Sequence, residues 1–169
     1  MTRIIRIAAL AATALALLAT MANASALEPH KAGDLALYIV MTDSPDAVAN
    51  AAGGDGTLKE ITPLRKVSPG ESAHAAFLVT GLTAKEGKVD YSVSWRLIGP
   101  SGSQLAVKKD YAGGNADAPD RPAFLIARPQ LELTFEESDA WGAYTLQAQV
   151  LDKNSGRTAQ RAYKLHLVN

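Results

Sequence analysis

Glu136-Glu137-Ser138-Asp139 runs through Ala140 into Trp141. Clustered carboxylates supply the oxygen ligands that calcium takes. An indole beside them gives a sugar ring a flat apolar platform with a polar edge. Glu136, Glu137, Asp139 and Trp141 are therefore the candidate ligand-binding residues. The plainer reading of the same run is a solvated turn entering the next strand. Asp110, Asn115, Asp117 and Asp120 form a second oxygen-rich group, but they lack EF-hand spacing and its closing bidentate Glu.

Other chemistries find less to work with. The three histidines, His30, His74 and His166, lie far apart, and no pair has the spacing of ligands on one helix or strand. Ser101 and Ser103 sit in a turn-like GPSGS rather than in the G-x-S-x-G elbow that activates a hydrolase serine. Gly53-Gly54-Asp55-Gly56 and Gly113-Gly114 lack the Lys-Ser/Thr that completes a phosphate loop. The absence of cysteine removes disulfides, thiolate metal sites and a cysteine nucleophile. The expectation is a chain with no catalytic residues, no resident metal or cofactor, and no enzymatic activity.

Composition narrows the partners. The 169 residues carry 17 basic and 17 acidic side chains, too balanced for a protein that grips nucleic acid by displacing counterions. Arg65-Lys66 is too small for a basic patch, and Lys108-Lys109 reads as protection of a sheet edge. With 47% hydrophobic residues, the chain can build one ordinary core.

Residues 1–26 read as an export signal. Arg3 and Arg6 form a positive start, Ile7 to Met21 is apolar apart from two threonines, and Ala24-Ser25-Ala26 fits an A-x-A cleavage site. Cleavage after Ala24 is the alternative. The apolar run is shorter than the roughly 20 residues of a spanning helix. The expected mature protein is residues 27–169, periplasmic or secreted, with no membrane span once the signal is removed.

The elements that must position these residues are strands. Val89, Tyr91, Val93, Trp95 and Leu97 alternate with Asp90, Ser92, Ser94 and Arg96, which predicts a half-buried strand with Trp95 in the core. Tyr144–Val150 and Ala159–Val168 repeat the pattern around Asp152-Lys153-Asn154-Ser155-Gly156 and predict a hairpin. Leu35–Met41, the more uniformly apolar Ala73–Thr80 and the alternating Leu131–Phe135 predict three more strands. Leu105–Lys108 and Pro122–Ala127 predict short edge strands, where a missing donor or a charge is tolerated. Asp43–Gly56, with one helical turn near Val48–Ala52, and Ala112–Arg121 read as open loops.

Trp95 on a central strand and Gly142-Ala143-Tyr144 entering a later one match an immunoglobulin-like sandwich, with Tyr144 as its tyrosine corner. The expected fold is an all-β, antiparallel immunoglobulin-like β-sandwich of seven to nine strands over residues 27–169. Trp95–Gly102 (WRLIGPSG), Trp141–Tyr144 (WGAY) and Val150–Gly156 (VLDKNSG) also resemble a family of small exported bacterial proteins of unknown function, over residues 89–168. These motifs describe strands and turns, so the resemblance implies a fold and export but assigns no site residues. The functional expectation is an exported, non-enzymatic binding or interaction module with a cell-envelope protein as partner. The alternative is a small-ligand module holding carbohydrate or calcium in loops at one end. The sequence leaves the oligomeric state open.

Overall fold

The computed structural model describes residues 29–52 and 58–169. The signal read over residues 1–26, its cleavage sites and the glycine run at 53–56 lie outside the described residues. The fold is all-β. Its strands are β1 (Ala36–Thr42), β2 (Lys66–Val67), β3 (Ser72–Thr80), β4 (Lys88–Ile98), β5 (Gln104–Asp117), β6 (Leu125–Thr134), β7 (Gly142–Asp152) and β8 (Thr158–Leu167), with one short helix, α1 (Ala47–Ala51).

Two sheets share one core. The smaller has the order β1-β3-β6 and the larger the order β2-β8-β7-β4-β5. All pairings are antiparallel except the short β2–β8 ladder. Period-two alternation decides what each strand buries. Leu37, Ile39 and Met41 of β1, with Phe77 and Val79 of β3, meet Val89, Tyr91 and Val93 of β4 and Leu146, Ala148 and Val150 of β7.

β3 is apolar and buried from Ala75 to Val79 because both of its faces are covered there. Its other face, through Ala76 and Leu78, packs with Val40 under Val48, Ala51 and Leu58. The segment around α1 therefore forms a lid on the smaller sheet, which accounts for the helical turn expected near Val48–Ala52.

Two expectations are corrected. Leu105–Lys108 is not a short strand, and Ala112–Arg121 is not an open loop throughout: β5 runs on to Asp117. Gly113 explains the misreading. Its φ is +114°, and a Cβ there would lie 2.5 Å from the Tyr91 carbonyl oxygen, so glycine lets the strand pass close to β4. The register of β4 and β5 shifts between Val93 and Trp95, a bulge that carries this bend. Likewise, the segments around Pro122–Ala127 and Leu131–Phe135 are mostly one strand, β6, on the edge of the smaller sheet. β2 had no counterpart in the sequence reading. It is held where the Tyr163 hydroxyl donates to the Leu64 carbonyl at 2.7 Å and the Arg65 guanidinium sits 4.6 Å over the Tyr163 ring.

Candidate functional site

The turn before β7 is built by its own side chains. The Glu136 amide donates to Asp139 Oδ2 at 2.8 Å, and the Asp139 amide donates to the Glu136 carbonyl at 3.0 Å. Tyr144, 3% exposed, donates its hydroxyl to the Ala140 carbonyl at 2.8 Å and sets its ring edge-on to Phe135. Burial, with the Asp139 charge second, raises the Tyr144 phenol above its ordinary pKa, so it stays protonated as a donor. Asp139 is thus occupied in closing the turn, while Glu136 and Glu137 point to solvent and Trp141 is 49% exposed. Among the described residues, no three His, Asp or Glu side chains come together as a metal site.

What lies beside Trp141 was not foreseen. Gly142 abuts Pro100: a Cβ there would sit 3.2 Å from the Pro100 Cβ. The Pro100 turn leads into β5, and Leu105 folds back against Gly99. The turn at Trp141-Gly142 and the Pro100 turn that leads to Leu105 therefore lie side by side at one end of the sandwich. From there β5 forms the outer edge of the larger sheet, paired to β4 on one side only.

That edge is bare over half its length. Every residue from Gln104 to Asp110 is exposed, with Leu105 at 54% and Val107 at 55%. Val107 lies opposite Arg96 on the outer face, whereas Ala106 and Lys108 lie opposite Leu97 and Trp95 on the core side. Their exposure there shows that the three-stranded sheet does not reach under this part of β5. The exposure is interrupted at Tyr111, whose hydroxyl donates to the Gln130 carbonyl of β6 at 2.9 Å, and at the buried Ala112, and it resumes from Gly113 to Asp117. Trp95 correspondingly falls short of the full burial expected. It packs against the core and edge-on to Tyr111, and its indole nitrogen is buried without an acceptor.

The opposite end holds a cleft of about 380 Å³ between the sheets. Val79, Leu82, Val89 and Leu125 line it, with Lys31 and Asp120 at its mouth. The loop residues Asp117 and Asp120 do not join Asp110 and Asn115 in a cation site; Asp117 pairs with Lys88.

No protein-family model and no curated protein matches the chain. The resemblance to small exported bacterial proteins gains no support from these comparisons. Among solved structures, the chain is similar to one described as a family 123 glycoside hydrolase from Clostridium perfringens, concerned with glycolipid glycan hydrolysis. The TM-score is 0.49 at 10% identity, over 79% of this chain and 27% of that one. This finding corrects the expectation of a chain without enzymatic activity, which is withdrawn. The likeness itself is too slight to carry an argument for any particular activity, and this chain spans little more than a quarter of the hydrolase.

Proposed function

We propose that this protein is an exported binding or interaction module of the bacterial cell envelope, built on an immunoglobulin-like sandwich. Its partner is held along the free edge of β5 and at the adjoining Trp141 turn. The carrying observation is the stretch Gln104–Asp110, exposed at every residue and paired on one side only, with Leu105 and Val107 among its side chains. A strand edge left open in this way is a template for another chain. The immunoglobulin-like reading is supported by the strand orders of the two sheets and by the Tyr144 hydroxyl bond to the backbone just upstream. Glu136 and Glu137 form an acidic rim beside Trp141.

Position-specific crosslinking tests the reading. A photoreactive residue is placed at Leu105, Val107 or Trp141, with Thr158 and Lys164 of β8 as controls, and the protein is irradiated in its host. Adducts are expected from the first three positions and not from the controls. Equal adducts at β8, or none at β5, would remove the edge as the working surface. The recovered protein should begin at Leu27 or Ser25.

A second reading, a small-ligand module, is favoured by the cleft at the other end. Its size falls within the usual range for ligand pockets. Its lining is mostly apolar, with polar groups such as Lys31 and Asp120, so it suits a largely apolar molecule better than the carbohydrate or calcium first considered.

A further inference from the structure

We infer that the partner supplies an extended, carboxylate-bearing peptide segment, which adds to the larger sheet as a sixth strand beside Gln104–Asp110. This rests on the edge reading above and names the partner's chemistry. The open stretch is the length of an ordinary strand. It is bounded at one end by the Pro100 turn and at the other by Asp110, whose φ of +46° and amide bond to the Ser94 hydroxyl at 3.0 Å mark the bulge. At the bulge the exposed stretch is interrupted by Tyr111, tied to Gln130 of β6, and by the buried Ala112, so Gln104–Asp110 is the longest continuous place for an added strand to lie.

Side-chain alternation then dictates what that strand carries. On the outer face it runs past Val107 and Lys109 and on the core side past Ala106 and Lys108, with Leu105 at the register shift that opens the stretch. Lys108 and Lys109 are consecutive, so they place a cation on each face. Neither belongs to an ion pair among the described residues, where the pairs are Lys88–Asp117 and Lys153–Asp90. Opposite charges across adjacent strands stabilise pairing, and like charges oppose it. The matching segment therefore alternates apolar residues with Asp or Glu. A second copy of this chain is the poorer occupant. Antiparallel self-pairing about Val107 would gather the Lys108 and Lys109 of both copies on one short ladder.

The test uses the purified protein and a fluorescein-labelled peptide of alternating valine and glutamate, read by fluorescence anisotropy. Saturable binding is expected. The paired change Lys108→Glu and Lys109→Glu should weaken it by about tenfold or more, because it reverses the complementary charge. The same variant should gain affinity for a valine–lysine peptide. With the unaltered protein, N-methylation of one alternate set of peptide amides should abolish binding, and methylation of the other set should leave it. That asymmetry belongs to strand pairing, because only alternate amides face the neighbouring strand. Equal effects of the two methylation patterns would overturn strand addition. Undiminished binding after charge reversal would overturn the carboxylate preference. Dimerisation of the unlabelled protein through β5 would assign the edge to a second copy. If neither peptide binds while Val107 still crosslinks to a partner, the acidic strand is wrong and the edge reading stands; loss of both removes the edge reading itself.

Discussion

Asp152 is 1% exposed, yet it keeps its charge. Burial alone would raise its carboxyl pKa. The Ser155 hydroxyl at 2.6 Å, the Thr83 amide at 2.9 Å and the Asn154 amide at 3.0 Å outweigh that and hold it below the usual value. Asn154 Nδ2 adds bonds to the Thr83 and Lys88 carbonyls, so this hairpin corner fastens the β3–β4 connection. Asp152→Ala should cost about 1–3 kcal/mol at neutral pH by stranding those donors. A lowered folded-state pKa means that the unfolded chain takes up the proton first as pH falls. The stabilisation is complete above the unfolded value of about 4 and is lost as pH falls through the folded one. Denaturant melts should therefore show the gap between parent and variant narrowing in acid. A constant gap would mean that the charge is irrelevant to the corner. Tyr144→Phe removes only the hydroxyl that meets Ala140 and should cost about 1–2 kcal/mol with the fold retained; a neutral result would discount that bond. The Tyr144 bond was legible because its acceptor lies four residues upstream. The burial of Asp152 was not, because Thr83 lies far away in the chain and any turn aspartate reads alike.

Strands with clean alternation and a covered face were readable from local pattern: β1, β4, β7 and β8 fall where the side chains alternate. The apolar run Ala75–Val79 of β3 was readable as burial, though not its cause, the lid around α1. β5 was cut short in the reading because Gly113-Gly114 resembles a breaker, and β6 was split between Ala127 and Leu131, where Pro129 interrupts the apolar pattern. In the folded chain Gly113 instead permits a close approach to Tyr91. β2 is two residues long and pairs in parallel with β8, so its periodicity is too brief to register. Of the candidate site, Trp141 is exposed, as a sugar platform would have to be, and Asp139 lies in the expected turn, but the Pro100 turn beside Gly142 was not foreseen. Which strand ends a sheet depends on strand order, which alternation does not encode. Lys108-Lys109 was the local sign of the β5 edge, as Pro122 was for β6.

The two sheets are unequal in breadth, three strands against five, and the imbalance is what leaves β5 uncovered. A long bare edge carrying Leu105 and Val107 would ordinarily invite pairing between copies. Lys108 and Lys109 oppose this in two ways. They repel the same residues on a second molecule, and they hold hydrated ammonium groups on both faces of the would-be ladder. Replacing both by valine removes that repulsion and raises strand propensity on the same stretch. Lys108→Val with Lys109→Val should therefore shift the protein toward dimers or larger species in sedimentation, with the folded core intact by near-ultraviolet circular dichroism. The shift should be largest at low salt relative to the parent, because salt screens the parent's repulsion and leaves the variant little to screen. Lys164→Val, on the outer face of β8 and away from this edge, serves as the control and should leave association unchanged. If the double variant sediments as the parent does at every salt concentration, the lysines are not what keeps the edge open, and the shape of the edge would have to be the barrier instead.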